Sequence, residues 1–150
     1  MNKKFFPGAG LVISLFILTI FVFAHGADNE VVMDSFFFKK FNSLNSLVRD
    51  EFLDQHLNNI IIGRGVITEI LEKERYKKQY RIIVESSDAA KFGQKFIFYI
   101  FTENRDTFDL LTKDSAFEFK GQFVGYTPLD TKRNAYILDV IFMDGSTIIE

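Results

Sequence analysis

The spacing of apolar side chains changes along the chain, and its first part predicts a helix. Between residues 31 and 55 apolar positions recur every three or four residues. They are Phe37, Phe41, Leu44, Val48 and Phe52. That period places them on one stripe of an α-helix, with Arg49 on the polar side and Asp34 or Ser35 capping the start. Residues 27–58 are therefore predicted to form an N-terminal amphipathic helix packed on the rest of the domain.

Beyond this helix, apolar and polar residues alternate with the period of β-strands. Five segments have this character: residues 59–72, 80–86, 95–102, 114–128 and 134–142. The first carries Gly63 and Gly65, which mark a bulge or strong coiling in a strand that serves two sides of a closed sheet. The third is apolar on both faces, as expected of a central strand.

The fourth strand has the clearest alternation. Phe117, Phe119 and Phe123 share one phase and are predicted to fill the interior. Glu118, Lys120 and Gln122 have the opposite phase and are predicted to face water. Gly121 lies on the inward phase and is expected to leave room where the wall curves or a neighbouring side chain needs space. Asp139, in the fifth strand, must face outward or pair with Arg or Lys, because unpaired burial costs several kcal/mol.

Residues 103–114 interrupt the strands with one or two predicted helical turns, capped by Asp106 or Thr107. Five strands with a helix between the third and fourth is the order of an OB-fold, a small Greek-key barrel. The predicted fold class is therefore mainly β: a five-stranded OB-fold Greek-key barrel over residues 59–150, preceded by the N-terminal amphipathic helix.

The segments GRGVITEI and DSAFEFKGQFVGY resemble a bacterial group of OB-fold domains described as tRNA-anticodon-like (tRNA_anti-like), found in exported or uncharacterised proteins. The shared feature is an acidic turn leading into an alternating strand with an internal glycine, here Asp114 and Gly121. The resemblance extends from Ile60 to Phe142. It consists of strands and glycines and contains no catalytic motif, so it implies a fold and does not imply RNA binding.

The first 26 residues have the three-part layout of a secretory signal peptide. Two lysines precede an uncharged apolar run over residues 11–23, and the small residues Ala24 and Gly26 follow. Cleavage is predicted before Ala27, which makes the protein periplasmic or secreted. The alternative is an uncleaved segment that anchors the protein to the inner membrane, since the apolar run approaches the length of a span. Contact with a membrane is expected only in that case.

Composition narrows the function further. A chain of 150 residues suggests one domain, and the absence of Cys excludes disulfides, thiolate nucleophiles and Cys-based metal sites. Removing the signal peptide would take away two of the 18 basic residues and no acidic one, which leaves 16 against 20 and a formal charge of −4. Nucleic acid is therefore not expected as the partner, because such binding depends on neutralising phosphates.

Candidate catalytic residues are few. His25 belongs to the predicted signal peptide, and His56 stands alone near a predicted helix end, where a His usually stabilises the last carbonyl groups. The sequence has no His pair with zinc-ligand spacing and no glycine-rich phosphate loop. We therefore expect no enzyme activity, no metal and no cofactor.

Binding has better support. OB-folds usually bind ligands on the face of their second and third strands, between the loops that join strands 1–2 and 4–5. Those loops are residues 73–79 and 125–134 here. The candidate ligand-binding residues combine aromatic and cationic side chains: Arg64, Arg75, Tyr76, Lys77, Lys78, Tyr80, Tyr126, Lys132 and Arg133. Such a set suits single-stranded nucleic acid, a sugar or an anionic peptide. The same residues are also typical of solvated hairpin tips.

The predicted function is that of an exported, non-catalytic OB-fold binding module whose partner is an unknown protein or glycan of the cell envelope. Two alternatives stay open. One is a structural or assembly protein that docks through its Phe-rich helix, where residues 36–38 are all Phe. The other is a single-stranded nucleic-acid binder, whose affinity would fall steeply with salt.

Overall fold

Residues 30–143 form four helices and six strands, and the computed structural model describes only this part of the chain. The strands are β1 Val31–Val32, β2 Ile60–Arg75, β3 Lys78–Glu85, β4 Lys95–Thr102, β5 Ala116–Pro128 and β6 Ala135–Phe142. The helices are α1 Ser35–Ser43, α2 Ser46–Asp54, α3 Ser87–Ala90 and α4 Arg105–Leu110. The predicted signal peptide, residues 1–26, lies outside the described residues, so its cleavage and the export of the protein stay predictions.

The strands form one sheet whose hydrogen bonds close into a ring. The order around the ring is β2, β3, β4, β6, β5 and back to β2, with antiparallel pairing everywhere except between β4 and β6, which are parallel. The five predicted strands are β2 to β6, and the predicted helix between the third and fourth is α4. β1 adds a sixth strand, parallel to β2. The mainly-β class is confirmed, and the architecture is consistent with an OB-like fold.

β2 serves two neighbours, as its glycines predict. Its first half pairs with β5 and its second half with β3, and the two ladders meet at Val66. At Gly65 a Cβ atom would lie 2.0 Å from the carbonyl oxygen of Glu85, the last residue of β3. Real Cβ atoms do not approach an oxygen so closely, so the change of partner along β2 depends on a residue without a side chain.

The interior of the ring is aromatic. Phe117, Phe119 and Phe123 are all buried, as the alternation of β5 predicts. Gly121 shares their inward phase, and a Cβ there would meet the carbonyl oxygen of Ile141 at 2.5 Å. The Val140 side chain also needs this room, since its Cγ1 would lie 2.6 Å from the added Cβ, so the glycine makes space for both the backbone and a side chain of β6.

The N-terminal helical segment is not one helix, and that prediction is wrong. α1 ends at Ser43, Leu44 is extended (φ −79°, ψ 143°), and α2 starts after Asn45, whose side chain accepts a hydrogen bond from the backbone N–H of Leu47. Asn favours such caps because its oxygen replaces the missing helical partner of that N–H. The apolar stripe continues across the break, so periodicity alone did not reveal it.

α1 packs on the sheet as expected. Asp34 is its cap and accepts from the N–H groups of Phe36 and Phe37. Phe37 and Phe41 belong to the same buried cluster as the strand residues of the interior. The cap of α4 differs from the prediction, because the side chain of Asn104 accepts the N–H of Thr107. Among the helices of residues 30–143, none is long and apolar enough to cross a bilayer.

Candidate functional site

The outer surface of β3, β4 and β6 carries a row of aromatic and charged side chains. Arg81 of β3 lies opposite Phe101 of β4, and Tyr99 of β4 lies opposite Asp139 of β6. Residues directly opposite in a sheet project from the same face. Arg75 and Tyr76 fold onto these four residues from the β2–β3 turn. The six residues together are called the aromatic face below.

The β2–β3 turn is tighter than predicted. The expected loop of residues 73–79 is mostly strand, because Arg75 and Lys78 still pair and only Tyr76 and Lys77 turn the chain. Both turn residues have positive φ, 54° and 59°, the combination that a type I′ hairpin turn requires. This turn matches the twist of the two strands, and the tip bends over the outer surface of the sheet.

Asp139 of β6 holds the tip of the β2–β3 hairpin against the sheet. The Tyr76 hydroxyl donates to Oδ2 of Asp139 at 2.7 Å, and Nη1 of Arg75 lies 3.1 Å from the same oxygen. The Arg75 guanidinium lies 4.9 Å from the centre of the Tyr76 ring, which packs edge-on against Phe101. Asp139 is only 6% exposed, and its predicted pairing with a cation is confirmed. Burial, and then the bond to Asp139, raise the pKa of Tyr76, so the hydroxyl keeps its proton at neutral pH.

Arg81 forms a second cation–aromatic contact on this face. Its guanidinium carbon lies 4.5 Å from the centre of the Tyr99 ring. Its Nε atom is buried and has no hydrogen-bond partner within residues 30–143. A buried donor is normally satisfied, so this N–H marks a place where the face lacks a polar group. The prediction from sequence missed Arg81, Tyr99 and Phe101, because β4 is apolar on both faces and its sequence does not show which face is outward.

The loop between β5 and β6 is bound to α2 through Asp50. Arg133 donates through Nε to one carboxylate oxygen of Asp50 at 3.0 Å, and the Tyr136 hydroxyl donates to the other at 2.8 Å. The Tyr126 hydroxyl donates to Asp54 at 2.8 Å. Burial and then these carboxylates raise the pKa of both tyrosines. Tyr126 and Arg133, predicted to bind a ligand, therefore use their polar groups within the fold and do not join the aromatic face.

The other candidate residues are dispersed. Tyr80 is 3% exposed and stacks on Phe108 of α4, so it does not reach the surface. Lys78 pairs with Glu103 at 3.0 Å. Lys77 and Lys132 are exposed. The set of nine candidates is thus not one site, since only Arg75 and Tyr76 contribute to the aromatic face.

Arg64 lies on another surface, at the junction of β2, β5 and α3. Its Nε donates to Oδ2 of Asp88 at 2.7 Å, so the guanidinium pairs with a nearby acid. Lys91 and Ser35 also contact Asp88, which is buried. The Arg64 hydrogen bond is the main cause that lowers the pKa of Asp88, so this carboxylate is charged at neutral pH.

His56 packs between the rings of Phe37 and Phe52, with centroid distances of 5.8 and 4.9 Å. Burial, and then the charge of Lys40, lower its pKa, so the ring is neutral at pH 7. A neutral imidazole between two Phe rings serves packing, which differs from the predicted role of a cation at the helix end. Within residues 30–143 no group of three or more His, Asp or Glu side chains is arranged to hold a metal ion.

Comparison with known proteins adds little. No protein-family model matches the chain, and no curated protein matches it. Two structures of Entamoeba histolytica asparaginyl-tRNA synthetase are similar at 17% identity, the one with asparaginyl-adenylate at a TM-score of 0.39 over 62% of this chain, the other at 0.36 over 61%. The chain spans 21% of the length of either. Similarity this low does not assign a family, and membership of the tRNA-anticodon-like group stays a prediction.

Proposed function

We propose that this chain is an exported OB-fold module that binds a protein or an envelope glycan without catalysis. The order of strands around the ring supports the fold part of the proposal, since β2 to β6 with α4 after β4 have the arrangement of a Greek-key OB barrel. In such barrels the second and third strands carry the ligand face. Those strands are β3 and β4, which carry three of the six residues of the aromatic face.

One observation carries the binding part: two guanidinium groups each lie over an aromatic ring on this one surface. Arg81 lies over Tyr99, and Arg75 lies over Tyr76. A stacked pair of this kind presents a flat apolar surface with N–H donors at its edge. Sugar rings and peptide groups combine a flat carbon surface with hydroxyl or carbonyl acceptors, so both match it. The partly buried Ile97, between Glu85 and Ile137 in the ladders, adds apolar area nearby.

The charge on this surface favours such partners over nucleic acid. Asp139 compensates Arg75, which leaves Arg81 as the one uncompensated charge among the six residues of the aromatic face. A single-stranded nucleic acid presents a row of phosphates and needs several free cations along its path. The overall formal charge of −2 also disfavours nucleic acid, because the phosphates carry the same sign of charge.

Binding assays with two aromatic variants test this proposal. Full-length wild type, Tyr99→Ala and Phe36→Ala would be titrated with envelope glycan fragments, envelope proteins and single-stranded oligonucleotides. Phe36 is the matched control, because it is 76% exposed on α1, away from the aromatic face. We expect Tyr99→Ala to weaken glycan or protein binding about tenfold, as loss of a cation–aromatic surface worth about 1–2 kcal/mol predicts, and Phe36→Ala to have no effect.

Other results would refute the proposal. Loss of binding on Phe36→Ala alone would indicate the assembly role of the Phe-rich helix, for which the exposure of Phe36 is the supporting observation. Oligonucleotide binding that weakens steeply with salt would indicate a nucleic-acid binder. Failure to bind any of the three classes would reject the aromatic face as a binding site.

Export has its own test. The mature N-terminus of protein expressed in a bacterial host would be sequenced after separation of the periplasm from the membranes. We expect soluble periplasmic protein that begins at Ala27. Membrane-bound protein that begins at Met1 would favour the retained anchor.

A further inference from the structure

A cleft of about 350 Å³ lies on the outer surface of β2 and β5, at the junction with α3. It is separate from the aromatic face, which lies on β3, β4 and β6. Its lining includes charged and apolar side chains: Arg64, Val66, Asp88, Lys91, Ala116 and Glu118. This volume is at the lower end of the range of small-molecule sites, roughly 300–1,000 Å³.

Asp88 fixes two cations at the edge of this cleft. The residue is 1% exposed, and its two carboxylate oxygens accept from Nε of Arg64 and Nζ of Lys91, both at 2.7 Å. The hydroxyl of Ser35 donates to Asp88 as well, at 2.7 Å. A buried carboxylate with three donors holds its partners in one place, which reduces the entropy that a ligand must remove on binding them.

Both cations keep binding capacity. The side chains of Arg64 and Lys91 are 56% and 58% exposed, respectively. Arg64 uses only Nε, and its two terminal nitrogens form no hydrogen bond within residues 30–143. Those nitrogens form the pair of parallel donors that binds a carboxylate in the bidentate manner. The edge of the cleft next to α3 is therefore a preformed site for an anionic group.

Glu118 gives the β5 side of the cleft a negative charge. It lies directly across the β2–β5 ladder from Arg64, but the Arg64 side chain is turned to Asp88. The Glu118 carboxylate consequently accepts no hydrogen bond from any of residues 30–143. Two cations against Asp88 leave one excess positive charge, and Glu118 supplies one negative charge on the β5 side. Val66 and Ala116, which lie directly across the same ladder from each other and are both exposed, add apolar surface to the cleft.

We propose that this cleft binds a small zwitterion of the amino-acid class. Its carboxylate contacts Arg64 and Lys91, its ammonium group contacts Glu118, and an apolar side chain lies on Val66 and Ala116. A purely anionic ligand is repelled by Glu118, and a purely cationic one by the pair of cations, so both charges are needed. This site is independent of the function proposed for the aromatic face.

Three ligands that share the leucine side chain but differ in their charged groups test the inference on the wild-type protein. L-leucine carries both charges, N-acetyl-L-leucine lacks the ammonium group, and L-leucinamide lacks the carboxylate. Binding to the full-length chain would be measured by NMR titration at neutral pH. We expect L-leucine to bind at least tenfold more tightly than either blocked compound, as the loss of a charge-assisted hydrogen bond predicts.

Variants then assign each charge to its residue. Glu118→Gln should weaken L-leucine about tenfold and leave N-acetyl-L-leucine unchanged or stronger, whereas Arg64→Gln should weaken both. Arg105→Gln, on the exposed surface of α4, is the control and should change neither. The inference is overturned if N-acetyl-L-leucine binds as well as L-leucine, if L-leucinamide does, or if L-leucine fails to bind at concentrations on the order of 10 mM. The ligand series needs no variant, so it stays decisive even if one fails to fold.

Discussion

Replacing Arg49 with Ala should destabilise the protein strongly, although the residue is far from the proposed sites. Arg49 is 7% exposed and joins three parts of the chain. Its Nε donates to the carbonyl oxygen of Leu44 at 3.0 Å, and Nη2 donates to that of Asn42 at 3.2 Å. Nη1 donates to the carbonyl oxygen of Arg133 at 2.9 Å and to the side chain of Asn134 at 2.6 Å. One side chain thus connects the α1–α2 break to the β5–β6 loop.

The expected loss of unfolding free energy follows from these four acceptors. A hydrogen bond to a charged group contributes about 1.5–3 kcal/mol, but such values are not additive within one network. Asn42 is exposed, and Leu44, Arg133 and Asn134 are half-buried, so water replaces some of the lost donors. The lost packing of the guanidinium over Phe41, 5.3 Å away, adds to the cost. We expect a loss of about 3 kcal/mol.

Urea unfolding of the full-length chain measures this loss. Far-UV circular dichroism is the appropriate signal, because the protein has no Trp. Arg105→Ala is the matched control: Arg105 is exposed and its ion pair with Asp109 lies at the surface, so a loss much smaller than that of Arg49→Ala is expected. A loss below about 1 kcal/mol for Arg49→Ala, or losses of equal size in the two variants, would refute the argument that buried multidentate contacts hold the loop to the helices.

Three further predictions follow from close contacts and shifted pKa values. Gly65→Ala should lower the free energy of unfolding by at least about 2 kcal/mol, because the new Cβ meets a backbone oxygen. Gly93→Ala should lower it by about 1 kcal/mol, because Gly93 has open space around it but a φ of 69°. Urea unfolding measures both losses. The pKa of Tyr126 is raised in the folded chain, by burial and then by Asp54, so the stability that its proton provides is present below the ordinary value of 10.0 and is lost as pH rises above it. Tyr126→Phe should therefore show a shallower loss of stability above pH 10 than the wild type, and equal slopes would contradict this. The pKa of Asp88 is lowered in the folded chain, so the stability that its charge provides is present above the ordinary value of 3.8 and is lost as pH falls below it. Asp88→Asn should therefore be less stable than the wild type at pH 7. The difference, measured by thermal melts, should be smaller at acid pH.

The strands could be predicted because each carries its own evidence. In β5 the interior positions are Phe117, Phe119 and Phe123, and one strand suffices to show which phase they share. The same alternation places the charged residues Glu118 and Lys120 on the outward face. The cost of burying a charge alone limited Asp139 to a surface or paired position, but the sequence did not show that its partner is Arg75.

The helices were harder to predict because a stripe of apolar residues does not require a continuous helix. The residues on both sides of Leu44 keep the period of three and four, so the extended conformation of that single residue left no sign in the pattern. Arg49 also lay on the polar side of the predicted helix, where exposure was expected. The β5–β6 loop covers it there, and no periodicity of α2 reports on that loop.

The sequence by itself determined the five strands of the ring, the inward face of β5, the glycines of β2 and the mainly-β class, because these depend on the period of neighbouring residues. The tertiary structure alone decided which polar groups meet. Asp50 holds Arg133 from 83 positions away, and Tyr76 reaches Asp139 across 63. Both contacts form only after the ring of strands has closed. The phase of a side chain is a local property of the chain, whereas the partner of its polar end depends on which surfaces the whole fold brings together.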